Sequence, residues 1–330
     1  DVQMLHLAAP EVAFHYNFDF YGIAVSTMDQ EVILKNIKVE NDHFAQDLRM
    51  LMDVMENCDR VVLEARGQYD KLWQKISDEE LAKIREEYRG KTNMVWRVYF
   101  GENGSTLTDA EVIRAVYNLV DDNCHNLIYC EDAKYMDIGH NEWLDACDFV
   151  SGMKSLEYCI LSGAPIKDLS PFENCKKLTW LELAYCYKLE NIDALPGRDG
   201  LKYLNLSHTR VTNVSSLEGL KLELLHYVNS GNRANMTEAD WTAIKPMFPN
   251  CWVTYEPLKD SEANPYGKGW RYDNNNQYTA AYKKVRVAFD YDQIDQNIAA
   301  CSDTSPLTAE ENAAMVRIRK ELGTNFCRRC

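Results

Sequence analysis

Basic residues are scarce in this chain and are never gathered. Lys and Arg total 36 against 51 Asp and Glu, a formal charge of −15 over 330 residues. Where cations adjoin they do so only as doublets, such as Lys283-Lys284 and Arg328-Arg329. Phosphate recognition needs a basic stripe, so no nucleic acid and no anionic membrane surface is expected as a partner. Long apolar runs are missing too. Nothing approaches the roughly 20 consecutive apolar residues that span a bilayer, so no membrane insertion is expected. The first residues, "DVQMLHLAAPEVAFHYNF", lack the charged start and apolar centre of a secretion signal. The chain starts at Asp1, so this lack does not bear on where the protein is delivered.

Catalytic and cofactor motifs are also wanting. Cys327-Arg-Arg-Cys330 has CxxC spacing, but no second pair exists to complete a zinc site, and it ends the chain instead of opening a helix. A terminal disulfide or two free thiols is the better reading. "GENGS" (101–105) lacks the Gly-Lys-Ser/Thr ending of a phosphate loop and reads as a turn. Asp121-Asp122 and Glu131-Asp132 are carboxylate pairs of the sort usually found solvated. No Ser-His-Asp or Cys-His set has positional support. Neither a cofactor nor a metal is expected, and the chain is not expected to be an enzyme.

What the chain does have is the makings of a core: 46% apolar and 11% aromatic residues. Its eleven cysteines are an odd number, so at least one thiol stays free. Asn-Cys recurs at 57–58, 123–124, 174–175 and 250–251. Most of these cysteines are expected to be buried thiols packing as small apolar groups.

The chain also repeats. A Leu-x-x-Leu-x-Leu core reads "AKYMDI" from 133, "LEYCIL" from 156, "LTWLEL" from 178, "LKYLNL" from 201 and, more weakly, "LELLHY" from 222. Successive spacings are 23, 22, 23 and 21 residues. A second apolar set follows the middle cores: Ile166, Leu169 and Phe172; Leu189, Ile192 and Leu195; Val211, Val214 and Leu217. That spacing of three suits a short helical or 3-10 return on the far side. One unit cannot bury its apolar edge alone, whereas a stack makes a continuous core with a parallel sheet along one side. This is the leucine-rich repeat pattern. The returns "APIKDLSPFENCKKL" (164–178) and "TRVTNVSSLEGLKL" (209–222) resemble the internalin-type class of bacterial repeats over residues 130–232. Together with "VVLEARG", "VWRVYFG", "YMDIGHN" and "GKGWRYDNNNQYTAAYKKVRVAF", the order of segments is similar to leucine-rich surface proteins of anaerobic gram-positive bacteria over residues 30–290. That resemblance implies a bacterial recognition protein at the cell surface or outside it. It carries over no site residue.

The expected organisation is an N-terminal extension (1–30), long helix-containing repeats (31–127), short leucine-rich repeats (128–235), a long closing repeat (236–257) and a C-terminal wrap with helices (258–330). The fold class is α/β: a curved solenoid, its parallel sheet concave and its helices or 3-10 turns convex, with a helical tail. Capping-box spacings at Ser77–Glu80 and Thr237–Asp240 mark helix starts. Helical faces are expected at Phe44, Leu48, Leu51 and Met55, at Leu81, Ile84 and Tyr88, and at Trp241, Ile244 and Phe248. Two helices are expected in the tail, near 278–289 and from Thr308 to Leu322.

Residues between the leucines of a strand point the other way, to the concave face. They form columns. Tyr135, Tyr158, Trp180 and Tyr203 make an aromatic ladder, with Leu224 below; Asp137, Ile160, Glu182, Asn205 and His226 stand beside it; Gly139, Ser162, Ala184 and Ser207 form a small-residue third column. The ladder reads equally as cross-strand packing or as a site that stacks sugar rings or peptide side chains. The candidate ligand-binding residues are Tyr135, Asp137, Tyr158, Trp180, Glu182, Tyr203, Asn205 and His226. His140 and His208 occupy one repeat position three strands apart, ~14 Å at ~4.8 Å per strand, too far to share an ion. They are expected to be solvated loop histidines. The functional expectation is a non-catalytic module binding a protein or glycan on the concave face. A structural spacer with no ligand is the alternative, and an enzyme built on residues 270–330 a more distant one. A concave face crowded by the chain's own tail would favour the spacer.

Overall fold

The computed structural model describes residues 8–9, 15–64, 75–195 apart from 103, 200–228 apart from 212 and 214, 237–248, 252–254 and 270–293 apart from 274 and 276. The expected second tail helix, Asn250-Cys251 and Cys327-Cys330 fall outside these residues, as do the side chains of Trp241 and Ile244. Two compact units divide the chain, residues 1–98 and 99–330.

The first unit opens with a hairpin, β1 (Asn17–Phe20) and β2 (Ile23–Ser26). Tyr21 and Gly22 make its two-residue turn, both at positive φ (53° and 85°), which tolerates the right-handed twist of the strands. Then come β3 (Glu31–Lys35), α1 (Phe44–Val54), β4 (Arg60–Glu64), α2 (Asp78–Glu87) and β5 (Asn93–Phe100), with β3, β4 and β5 parallel. Phe44, Leu48, Leu51 and Met55 are all buried, as their helical spacing predicts. At the start of α2 the Glu80 amide donates to Ser77 Oγ (3.2 Å), but the Glu80 carboxylate turns to Arg49 (2.9 Å) instead of closing the capping box.

The second unit begins with β6 (Gly104–Leu107) and is then built around one parallel sheet. Its strands are β7 (Val112–Arg114), β8 (Tyr135–Asp137), β9 (Tyr158–Ile160), β10 (Trp180–Glu182), β11 (Tyr203–Asn205), β12 (Leu224–Val228) and β13 (Trp252–Thr254), adjacent in that order. The five recognised repeats supply β8 to β12, in the register read from the sequence: Tyr135 opposite Tyr158, Tyr158 opposite Trp180, Trp180 opposite Tyr203, Tyr203 opposite Leu224. Leu178, Leu181 and Leu183 are fully buried, and so are their counterparts in the neighbouring repeats. The fold of this unit is of the leucine-rich-repeat type.

Returns after β8 and β9 are 3-10 turns, Asp148–Gly152 and Ser170–Asn174, and a third, Ser215–Leu217, follows β11. In the return after β10, Leu189, Ile192 and Leu195 are buried as expected, and the Leu195 N–H donates to the Ile192 C=O (3.0 Å). Cys130, Met153 and Cys175 share one repeat position, where each amide closes a 3-10 turn onto the carbonyl three residues back (2.8–3.0 Å). All seven described cysteines are buried and form no disulfide among the described residues. Burial raises the Cys124 and Cys175 thiols to about 12.

Strand β7 was not anticipated. Ala110, Ile113 and Ala115 stand 23 residues before Ala133, Met136 and Ile138, but two alanines give too faint an apolar signal to register as a core. At the other end α3 (Glu238–Ile244) precedes β13, which closes the sheet. Its capping box is complete with Asp in place of Glu or Gln: the Thr237 amide donates to Asp240 Oδ2 (2.7 Å), and the Asp240 amide to Thr237 Oγ1 (3.3 Å).

One buried side chain ties two successive repeats together. Asn141 (2% exposed) accepts the amides of Asn118 and Leu119 at 2.7 Å, and donates to the carbonyls of Ala115 (2.8 Å) and Ile138 (2.7 Å). Its amide group is fully used.

Candidate functional site

The last described segment, residues 270–293, lies on the concave face of its own sheet. It starts with Trp270 and Arg271, turns through an antiparallel bridge between Tyr272 and Tyr278, and continues as α4 (Ala280–Phe289). Thr279 Oγ1 makes the junction, donating to the Trp270 carbonyl (3.0 Å) and accepting the Tyr282 amide at the start of α4 (3.1 Å). The helix buries Tyr282, Val285 and Phe289, three, four and seven positions apart, on one face. That face meets the aromatic ladder. Phe289 sits edge-on to Tyr135 (6.1 Å between centroids), Tyr282 lies 6.2 Å from Trp180, and Trp270 is closest, 4.3 Å from Trp180. Arg114 of β7 donates to the Phe289 carbonyl, so a strand side chain satisfies an open carbonyl in the last turn of α4.

The ladder is therefore covered. Trp180 keeps 1% of its surface and Glu182 2%, while Tyr135, Tyr158 and Tyr203 are half-buried. Its rings run in sequence: Tyr135–Tyr158 at 5.2 Å, Tyr158–Trp180 at 6.5 Å, Trp180–Tyr203 at 5.2 Å. The second column is buried as well: Asp137 8%, Asn205 2% and His226 0% exposed.

Glu182 is the electrostatic centre. Its Oε2 accepts from Trp270 Nε1 (2.9 Å); its Oε1 accepts from Ser162 Oγ (2.9 Å) and from the Arg271 guanidinium. Burial acts to raise its pKa, but the Arg271 charge and these donors together hold the carboxyl below its usual range. Arg271 also lies over the Tyr282 ring at 5.2 Å. Asp137 is placed differently. It accepts from the Gly139 amide (3.0 Å) and from the Tyr291 hydroxyl, and burial outweighs both, raising its pKa. The Tyr291 hydroxyl is itself held well above its usual value by burial and by Asp137.

Part of the second column does local backbone work. The Gly139 amide donates to Asp137, and the Ser207 amide donates in the same way to Asn205 (2.9 Å). Both are turns in which a strand-end side chain holds the amide two residues on. His226 Nδ1 shares a 3.0 Å hydrogen bond with Ser207 Oγ.

Of the two histidines beside the sheet, one departs from expectation. Tyr117, His140, Gly163, Tyr185 and His208 occupy one position in successive repeats, all at positive φ (58° to 81°). Tyr117 stacks on His140 (4.9 Å between centroids, 22° between planes), and Tyr185 on His208 (4.2 Å, 19°). His140 remains exposed, but His208 is buried at 5%. The stacked tyrosine of the preceding repeat takes the place of solvent. Gly163 makes room in the middle, since a Cβ there would sit 3.3 Å from the His140 Cα.

Sequence reasoning missed Trp270, Arg271 and Tyr291 as part of this face. Only the Trp270-Arg271 pair, the sole Trp-Arg with an aromatic directly after it that follows the repeats, stands out in the chain as a signal for it.

No family model matches the chain. No curated protein matches it either. Solved structures do. An internalin (InlF) from Listeria monocytogenes is 18% identical over 66% of this chain and 60% of its own, with a TM-score of 0.40. Internalin C2 of the same organism is 16% identical over 47% and 74%, with a TM-score of 0.30. A leucine-rich repeat protein of Leptospira interrogans is 15% identical over 53% and 40%, with a TM-score of 0.26. The chain spans about 60% of the length of the first of these. Among the described residues, no helix is long and apolar enough to cross a membrane.

Proposed function

We propose that this chain is a non-catalytic recognition module of a bacterial surface or secreted protein, and that its ligand, a protein or a glycan, is read by the concave sheet. One observation carries the reading. The ladder already holds a polypeptide segment by ring packing, an indole N–H to a carboxylate and a guanidinium to the same carboxylate. These are the contacts by which aromatic and Arg anchors dominate protein interfaces. The face is therefore built for recognition, with residues 270–293 as its resident occupant. Tyr135, Tyr158 and Tyr203 keep part of their rings accessible beside that occupant. The site is Tyr135, Asp137, Tyr158, Trp180, Glu182, Tyr203, Asn205 and His226, with Trp180 and Glu182 at its centre. Placement at the bacterial surface rests on the resemblance of the repeats.

The second reading is a spacer or display domain. What favours it is the burial of Trp180, Glu182 and Asn205 under the chain's own segment. A glycan array and a pull-down from surface proteins separate the two, run with wild type beside a Tyr158→Ala/Tyr203→Ala variant. Captured ligand that is lost in a variant of unchanged melting temperature supports recognition by the ladder. A captured ligand that ignores the substitution, or no ligand at all, favours the spacer.

A further inference from the structure

Resting on the recognition reading, we infer that the concave pocket selects a peptide segment in which an aromatic residue is followed by arginine, and that Trp270-Arg271 is an internal mimic which such a segment displaces. Three features of the pocket support this choice of ligand. The first is its fit to the resident pair. The Trp270 indole lies 4.3 Å from the Trp180 ring and donates to Glu182, while the Arg271 guanidinium meets the other oxygen of that carboxylate and covers Tyr282. One carboxylate thus reads both residues of the pair, which a lone aromatic or a lone cation cannot satisfy.

The second is a surplus of negative charge. Asp137 and Glu182 both lie in the pocket, and Arg271 is the cation among the described residues that acts on the two of them. Asp137 has hydrogen bonds from Tyr291 and Gly139 but, among the described residues, no ion pair of its own. A ligand that brings further positive charge gains there; a neutral glycan does not. The third is an unused donor. Trp180 Nε1 is buried and has no hydrogen-bond partner among the described residues, although the residue is only 1% exposed. A carbonyl of a bound peptide would satisfy it. The resident segment leaves the Trp180 donor unmatched and gives Asp137 a hydroxyl in place of a cation, as expected of an occupant that can be exchanged for a better one.

The probe is a fluorescein-labelled peptide of this chain's own residues 267–273, Gly-Lys-Gly-Trp-Arg-Tyr-Asp, beside a control with the Trp and Arg replaced by Ala. Anisotropy titrations use the full chain as wild type, as Trp270→Ala/Arg271→Ala, and as that variant with Glu182→Gln added. The freed pocket is expected to bind the probe at least ten-fold more tightly than wild type, to ignore the control, and to lose about ten-fold in affinity when Glu182 is neutralised. A folded double variant that binds probe and control alike, or neither, overturns the inference. If the double variant does not fold, wild type with excess probe is followed by hydrogen exchange. Amides of residues 280–289 should then exchange faster while those of 180–182 stay protected; unchanged exchange in 280–289 overturns the inference. A surface ligand that binds wild type and double variant equally would leave the recognition reading standing and refute this one.

Discussion

Replacing Arg271 by Met tests whether the pocket is held by charge or by ring packing. The substitution keeps much of the side chain's length and apolar stem but removes the guanidinium that neutralises Glu182. Glu182 has 3% of its side-chain surface exposed and Arg271 33%, so the carboxylate is the desolvated partner and the guanidinium is partly hydrated. Breaking a fully buried pair by removing one side costs about 3–5 kcal/mol, because the remaining charge is left uncompensated. With Arg271 a third exposed, some of its attraction is already screened, and about 2–3 kcal/mol is the reasonable figure. Adding Glu182→Gln removes the stranded charge while its amide oxygen still accepts from Trp270 and its NH2 can donate to the Ser162 hydroxyl. The double variant should therefore recover more than half of that loss, a coupling of about 1–2 kcal/mol. Native-state hydrogen exchange is the assay, read at amides of 280–289 for opening of the segment and at β10 for the sheet. Arg271→Met should raise the opening population of 280–289 by about 30- to 150-fold, with β10 little changed. The reasoning is refuted if Arg271→Met has no effect, or if Glu182→Gln on top of it makes matters worse. Either result would mean that rings alone hold the segment.

Acid should act on the two pocket carboxylates in opposite directions. Glu182 has a lowered folded pKa, so its stabilisation is complete above the ordinary glutamate range and is lost as pH falls through the folded value. Asp137 has a raised folded pKa, so it favours the folded state below the ordinary aspartate range and that contribution fades as pH rises through the folded value. Asp137→Asn is expected to raise the melting temperature at pH 7 relative to wild type and to shrink that gain toward pH 4; a variant less stable at pH 7 would count against the raised value. Asn141→Leu strands the amides of Asn118 and Leu119 in a buried place, and a loss of at least about 3 kcal/mol is expected in urea unfolding. A loss under 1 kcal/mol would show that the loop between β7 and β8 rearranges. Finally, Cys58, Cys124, Cys130, Cys147, Cys159, Cys175 and Cys186 should resist alkylation in the native chain and react together once it is denatured, as read by peptide mapping. Rapid native labelling of Cys159 or Cys175 would contradict the packing.

The repeat strands were legible because a leucine-rich repeat is a local code. Each unit of 21 to 23 residues buries its leucines against the next, so period and register can be read from spacing alone, and Tyr158, Trp180 and Tyr203 align as the pattern requires. Helix starts at Ser77 and Thr237 were equally local, each a hydroxyl accepting the amide three residues on. The faint signal of Ala110 and Ala115 hid β7 because its partners, not its own side chains, complete the strand.

The state of the concave face is another matter. Composition gives Trp180 and Glu182 the same outward direction whether they meet solvent, a ligand or the chain itself. Their burial depends on Trp270, 90 residues further on, and on Phe289, whose carbonyl is held by Arg114 at a separation of 175 residues. Contacts that distant leave no periodic trace, since their energy comes from shape and charge matched across the finished sheet. The sequence by itself determined the stack of repeats and the columns it displays. Only the tertiary structure decided that the columns are occupied, because a segment can choose a surface only after that surface exists.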